Sequence, residues 1–582
     1  MPANAGAVDG AVTPADLLHG LTEAQRRAVE TDAAPLCVLA AAGSGKTTVL
    51  TRRVARRVRL GTARAEHVLV VTFTRKAAGE LRHRLTRLGV PGPVAAGTFH
   101  AVALTQLRAH WADREMRPPT VVDDTRRLLS AVVEGGTRPA VVADLAAEIH
   151  WAQVRLVGPD GYAAAARTAA RQAPAGCSPR DVAAVYARYL EEKARRGVID
   201  LDDLVTRCAS VLEEDGAAAA ALRWRLRHLF VDEFQDVNPA QWRLLRAWMG
   251  PDPDLFVVGD PHQAIYSWNG ADPTLLDRLP SMLPGTTVLH LDDNHRSTPQ
   301  VLSAASAALG VGPARASRPD GAEPVVEGFD DDEEEGAAVA RWLRRMHRPG
   351  APWSHQAVLA RTNGRLEPVV AALQRASIPC RVAGTSSAER AALAGLRRLP
   401  RRTSLRAALA DLVTADGAST ASPAGAAVLA LARLADECVL EIPDATVGEF
   451  LAWTAADGDE RVTLVPDDAV ELCTFHRAKG LEWRSVAVVG LEEGMVPIAY
   501  AATEAARAEE RRLLYVALTR AEDDLWCSWA ALRRAGARTW SCEPSSLLPA
   551  LSGAVRTGAP SPDARVLAAR VAALRTRLPD AG

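Results

Sequence analysis

An α/β architecture with two parallel sheets is the fold class this sequence predicts, and three observations carry it. An apolar run, Leu36 to Leu39, enters the small-residue loop Ala40-Ala41-Ala42-Gly43-Ser44-Gly45 and then Lys46-Thr47-Thr48 with helical spacing beyond. That order, strand, loop, Lys-Thr, helix, is what a phosphate-cradling P-loop requires. Short apolar runs of buried type then alternate with helical patterns in two separate regions, the signature of parallel sheets with crossover helices. Two stretches, 106–198 and 385–465, keep helical spacing without comparable strands and read as insertions.

Residues 1–20 are rich in Ala, Gly and Pro and are expected to form a flexible tail. Leu21-Thr22-Glu23-Ala24-Gln25 then starts a helix with a capping pattern. In the P-loop, Gly43 and Gly45 permit backbone angles that a side chain disfavours, so the N–H groups of Ala42 to Thr48 can turn toward a triphosphate. Lys46 reaches the β and γ phosphates, Thr47 offers a hydroxyl to Mg²⁺, and the helix starting there points its positive dipole end at the same group. Val68 to Thr72 and Val94 to Thr98 are the next strands, followed by Phe73 and by Phe99-His100. Proline and glycine breaks punctuate 106–198, after which Leu229 to Val231 and Leu255 to Val258 return to strand character. The first domain is therefore 21–105 with 199–285. The second is 286–384 with 466–550, built on Val288 to Leu291, Ala357 to Ala360, Val470 to Thr474 and Val486 to Leu491, and 551–582 is a basic tail. The acidic run Asp330 to Glu335 precedes a helical pattern and reads as a charged helix N-terminus.

With 582 residues, 48% hydrophobic and 24% charged, the composition is that of a globular chain and excludes disordered and fibrous classes. Lys and Arg number 69 against 70 Asp and Glu, a net charge of −1, so attraction to nucleic acid has to come from a local groove. Eight scattered cysteines lack metal-ligand spacing and suit a reducing compartment. With neither a secretory start nor a long apolar run, a cytoplasmic protein without membrane contact is expected.

The chemistry concentrates where strands end. Asp232-Glu233 follow Leu229 to Val231; Asp232 is suited to hold Mg²⁺ and Glu233 to orient and deprotonate an attacking water. Gln263 lies where its amide can sense a γ-phosphate. Trp268 follows, and helical periodicity alone makes it a core aromatic.

At this point the chain resembles the UvrD/Rep family of superfamily 1 DNA helicases. The motifs, in the family's order, are Gln25 in LTEAQRRAV, AAAGSGKT at 40–47, TFTRKAA at 72–78, TFH at 98–100, DLDDL at 200–204 and VDEFQD at 231–236. They continue with VGDPHQAIYSW at 258–268, NHRS at 294–297, TFHRAKGLEW at 474–483 and RRLLYVALTRA at 511–521. The resemblance implies two RecA-like P-loop domains, each carrying an inserted helical segment, and ATP hydrolysis driving 3′ to 5′ translocation on single-stranded DNA, with single/double-strand junctions as substrates. It implies that Gln25 meets the adenine edge, that Gln263, Arg296 and Arg520 meet the γ-phosphate, and that Glu482 meets the ribose. For DNA it implies stacking by Phe73, Phe99, His100, Trp268 and His476 and phosphate contacts by Thr72, Thr98 and Thr474. Aromatic faces accept any base, so binding is expected to be tolerant of sequence.

Four positions or segments depart from that pattern. His295 stands where Tyr is usual and Thr48 where Arg is common, so a looser grip on adenine is expected. Asn269 follows Trp268 where Arg is frequent. The insertion at 385–465 is shortened, and with Arg397-Arg398 and Arg401-Arg402 it is expected to be a helical remnant with one basic edge. Firm movement on single strands with weak unwinding of long duplexes follows from that shortening. A translocase that displaces proteins without unwinding, and an ATP-gated DNA-binding module, are the alternative readings.

Overall fold

The computed structural model describes residues 13–133, 137–312, 314–382, 387–415, 423–455, 468–536, 538–551 and 554–558. They form two compact units: 1–292 with 384–466, and 293–383 with 467–582.

The first unit is organised on a parallel sheet of six strands: β1 (Leu36–Ala40), β2 (Val68–Thr72), β3 (Ala95–Thr98), β4 (His228–Val231), β5 (Asp254–Gly259) and β6 (Thr287–Leu291), in spatial order β3-β2-β4-β5-β1-β6. β2 is buried along its whole length, and β1 nearly so, which is why both read as unbroken apolar runs rather than alternating ones. β6 corrects the sequence reading. Val288 to Leu291 was expected to open the second sheet, yet it pairs with β1 in parallel, from Leu36 opposite Thr287 to Ala40 opposite Leu291. Apolar character marks a strand; it does not select the partner.

Helices Glu23–Glu30, Lys46–Arg59, Arg75–Arg87 and Phe99–Asp113 cover this sheet. The first is closed by a full capping box between Thr22 and Gln25. The segment between Phe99–Asp113 and β4 is mainly helical, with Pro139–Val154, Pro159–Thr168 and Pro179–Arg196 sharing a core of Leu145, Ile149, Tyr162, Val182 and Tyr189, but Thr120–Val121 pairs in parallel with Val198–Ile199, a short strand pair that helical spacing did not announce.

The segment following residue 384 interrupts the second sheet in chain order but packs with the first unit. Its helices Ser387–Arg398, Leu405–Ala415, Pro423–Glu441 and Val447–Ala455 place Leu396, Leu405, Leu431 and Phe450 in one apolar core with Leu104, Leu107 and Trp248. Polar ties reinforce the seam: Arg82 to Glu441 at 2.8 Å, Arg108 to the Pro443 carbonyl at 2.8 Å, and Arg75 over the Trp453 ring at 4.4 Å from its centroid. The expected basic edge is partly neutralised, because Arg397 (3.3 Å) and Arg401 (2.5 Å) both pair with buried Asp123.

The main sheet of the second unit holds eight strands among the described residues: β7 (Val325–Asp331), β8 (Gln356–Ala360), β9 (Cys380–Val382), β10 (Val470–Thr474), β11 (Trp483–Val489), β12 (Ala521–Ala535), β13 (Arg538–Ser541) and β14 (Arg556–Gly558). Seven run in parallel in the order β9-β10-β8-β11-β12-β7-β14, and β13 pairs antiparallel with β12. Both units are thus parallel α/β layers of the RecA-like kind. The acidic run does open a helix: Asp331 caps Asp332–Met346 by accepting from the N–H groups of Glu333 and Glu334.

Both predicted tails are shorter than expected. Leu17 is buried, and Arg52 donates to the carbonyls of Leu17 and His19, so residues 13–20 are anchored to the P-loop helix. At the other end β14 adds to β7. Residues 1–12 and 559–582 lie outside the described residues.

Candidate active site

The P-loop bridges the end of β1 and the helix Lys46–Arg59. Gly43 and Gly45 both lie in the left-handed region, at φ 68° and 83°. Gly45 has a second constraint: a Cβ there would sit 2.7 Å from Gln25 Nε2. Gln25 is buried and fully engaged, its Oε1 accepting from Thr22 N–H at 3.0 Å and its Nε2 donating to the Ser44 carbonyl at 2.9 Å. The residue expected at the adenine edge therefore also ties the first helix to the phosphate loop.

Lys46 Nζ donates to the Ala40 carbonyl at 3.3 Å and lies 3.8 Å from Asp260. Asp260 is the hub that sequence reading did not single out. It accepts from the Gln263 amide at 2.8 Å, and its own N–H donates to Gln235 Oε1 at 2.9 Å. Gln235 in turn donates to Glu233, whose N–H donates to Asp232 Oδ1 at 3.0 Å. Lys46, Gln263, Glu233 and Asp232 are thereby joined through two buried residues of the motifs VGDPHQ and VDEFQD. The available signal was their position just beyond strand ends. Glu233 holds φ 53°, a costly conformation for a residue with a side chain, and Asp232 is fixed from behind by donating its N–H to the Val71 carbonyl at 2.9 Å. Burial, with the neighbouring Glu233 charge, pushes the Asp232 carboxyl up to about 7.

Thr47 and Thr48 lie half-buried in the first turn of the helix, and the Thr47 carbonyl accepts from Thr51 Oγ1 at 2.8 Å. A bound divalent cation is compatible with the donor set, since Thr47 and Asp232 supply hard oxygens and positive charge would relieve the cost of ionising a buried Asp232.

The DNA-contact expectations divide sharply by burial. Trp268 is 52% exposed, which overturns the core reading that periodicity favours. Phe99 is the reverse: it is 1% exposed and stacks on Trp248 with centroids 5.8 Å apart and planes 8° off parallel, so it offers no face to a base. It is core because it begins a helix whose inner side meets the Pro239–Met249 helix. Thr98 is also buried and caps that same helix by accepting from Ala101 N–H. Thr72 is buried, and its hydroxyl finds no partner among the described residues. Phe73 and His100 remain half-buried at the strand ends.

In the second unit, Arg296 and Glu482 form an ion pair at 2.5 Å, which brings together two residues expected at different parts of the nucleotide. Arg520 is buried and donates to the carbonyls of Val516 (2.9 Å) and Leu481 (3.0 Å) and to Thr519 Oγ1 (3.1 Å). His295 Nδ1 lies 2.6 Å from Ser317 Oγ. Thr474 and His476 are half-buried at the end of β10, and burial, with Arg361 and Lys479 nearby, pushes the His476 imidazole down to about 3, leaving it neutral.

Comparison with known proteins matches two family models to this chain: the UvrD/REP helicase N-terminal domain over residues 21–284, and the UvrD-like helicase C-terminal domain over 289–387 and 431–531. Among similar curated proteins, the ATP-dependent DNA helicase UvrD2 of Mycobacterium tuberculosis is 37% identical, spanning 91% of this chain and 81% of the relative. UvrD1 of the same organism, also named an ATP-dependent DNA helicase, is 30% identical over 90% of this chain and 84% of its own length. DNA helicase II of Escherichia coli is 29% identical over 89% and 85%. No described helix is long and apolar enough to cross a membrane.

Proposed function

The chain belongs to the UvrD/REP helicase family of ATP-dependent DNA helicases, and from that premise we propose that it hydrolyses ATP at the P-loop of the first unit to move 3′ to 5′ along single-stranded DNA. The observation that carries this reading is the continuous buried connection from Lys46 through Asp260 and Gln235 to Glu233. Such a connection suits a phosphoryl-transfer site, in which positioning and charge stabilisation do most of the work.

In this reading Lys46 leaves the Ala40 carbonyl for the β and γ phosphates. Glu233, oriented by Gln235, takes the proton of the attacking water. Gln263 reports the γ-phosphate to Asp260, and the same strand-end segment carries Trp268, where an exposed indole can stack on a base of any identity. Thr47 and Asp232 would hold Mg²⁺, which when bound neutralises charge on the phosphates. A cytoplasmic site of action on single-stranded DNA and single/double-strand junctions, in repair or replication restart, is part of the proposal.

A second reading, translocation that strips proteins with little processive unwinding, is favoured by the docking of 384–466 on the first unit, with Arg397 and Arg401 engaged by Asp123. Strand displacement on duplexes with a 3′ or a 5′ tail, beside removal of a bound protein from the same tails, tests both. Displacement from the 5′ tail alone would overturn the polarity, and efficient unwinding of long duplexes by a monomer would exclude the second reading.

A further inference from the structure

Trp268 lies on a single turn, Ser267–Asn269, closed by Asn269 N–H to the Tyr266 carbonyl and Gly270 N–H to the Ser267 carbonyl, both at 3.0 Å. One turn of 3₁₀ helix is weakly self-supporting. The turn is instead gripped by the helical segment inserted between β3 and β4. Arg171 Nη1 donates to the Trp268 carbonyl at 3.1 Å. The remainder of the guanidinium is committed to Glu148, with Nε at 2.9 Å and Nη2 at 2.6 Å, and it lies over the Trp151 ring at 4.5 Å from the centroid. Glu148 is itself buried and accepts from Tyr162 OH at 2.6 Å. On the other side Gly270, at φ 97°, lets the end of helix Pro139–Val154 approach so closely that a Cβ would fall 2.2 Å from Val154 Cγ2.

We propose that Arg171 is a positioning residue for DNA: clamped by Glu148, it fixes the Trp268 turn so that the exposed indole is already presented to an incoming base. The inference rests on the reading that Trp268 stacks on DNA. A charge-assisted donor with two of its nitrogens locked on a buried carboxylate has little freedom left, so it can hold a backbone carbonyl at small entropic cost. Without it the turn has to be ordered at each binding event, which lowers affinity by about 2- to 10-fold. The inserted segment thus acts on DNA binding through the Arg171 hydrogen bond to a backbone carbonyl, beside the packing of Val154 against Gly270.

The test is a double-mutant cycle on the intact chain, reading the concentration of poly(dT) that half-saturates stimulation of ATP hydrolysis and the rate at saturation. Arg171→Ala is expected to raise the half-saturating concentration about 2- to 10-fold while the rate at saturating DNA is kept, and to add nothing in a Trp268→Ala background. Arg171→Lys, which preserves charge beside Glu148 but cannot serve both partners, is expected to fall between the two. Additivity with Trp268→Ala, or an unaltered half-saturating concentration in both Arg171 variants, overturns the inference. A simply structural role would lower the saturating rate and the melting temperature of Arg171→Ala and Arg171→Lys together, and that result also overturns it. If Trp268→Ala alone leaves the half-saturating concentration unchanged, the stacking reading falls and the inference with it.

Discussion

Glu441 is the sharpest probe of how the segment after residue 384 is attached. Its carboxylate is 3% exposed, accepts from Arg82 at 2.8 Å and from the Trp453 indole N–H at 2.9 Å. Glu441→Ala strands the indole N–H in a core where Trp453 is buried, which costs about 1–3 kcal/mol. Arg82 is 22% exposed and keeps its bond to the Ala96 carbonyl, so it rehydrates in part. Its share is therefore about 1 kcal/mol, below the ~3–5 kcal/mol of a fully buried broken pair. The sum, about 2–4 kcal/mol, corresponds to a fall of about 3–5 °C in melting temperature for a unit this large, whose unfolding entropy is about 0.8 kcal/mol/K. Thermal unfolding combined with hydrogen exchange reads both magnitude and place: exchange should rise in Pro423–Glu441 and in Phe99–Asp113 together, since they share one core. A melting temperature within 1 °C of wild type, to take about the resolution of the method, or faster exchange in the inserted helices alone, would refute the claim that the segment is part of the first unit.

Gly45→Ala is expected to weaken ATP binding about 5- to 30-fold, because a left-handed residue with a side chain costs about 1–2 kcal/mol and its Cβ would displace the Gln25 amide; calorimetric titration of ATP checks it. Asp254, although burial opposes it, is held below the usual carboxylate range by His228 and by the two-pronged Arg57 at 2.8 and 2.7 Å. A depressed folded pKa adds stability that is present above the unfolded value near 4 and is lost as pH falls below it, so the gap between wild type and Asp254→Asn should be full at pH 7 and shrink as the pH drops through about 4 and lower. Urea unfolding across that range measures the gap; a gap that widens in acid contradicts the assignment. Lys46→Ala should weaken nucleotide binding itself, read in the same titration as Gly45→Ala.

The parts of this molecule that were legible in its sequence are those fixed by local rules. The run at Leu36 to Leu39, the P-loop and the carboxylates after Val231 each declare a strand end, and the structure joins Lys46 to Glu233 there. What escaped depends on partners far away in the chain. Val288 to Leu291 has the apolar character of either sheet, and only pairing with Leu36 to Ala40 decides it. Phe99 and Trp268 are both aromatics in segments that follow strands, yet one is buried and stacks on Trp248 while the other is half exposed; periodicity alone even favoured Trp268 as core. The helices of 384–466 show apolar stripes, but a stripe does not say which surface it will cover, and Leu104 and Leu107 belong to a helix nearly 300 residues earlier. Arg171 reaches Trp268 across a shorter gap, 97 residues, with no motif to announce it.

The central claim, that Glu233 activates water at this P-loop in a DNA-responsive cycle, is tested most directly by steady-state ATP hydrolysis with and without single-stranded DNA for wild type and Glu233→Gln. Strong stimulation of the wild type by DNA is expected, with a turnover in Glu233→Gln lower by about 10²- to 10⁴-fold and ATP still bound, because the base is removed while Lys46 and the loop remain. Near-normal turnover in Glu233→Gln, or a wild-type rate indifferent to DNA, would contradict it.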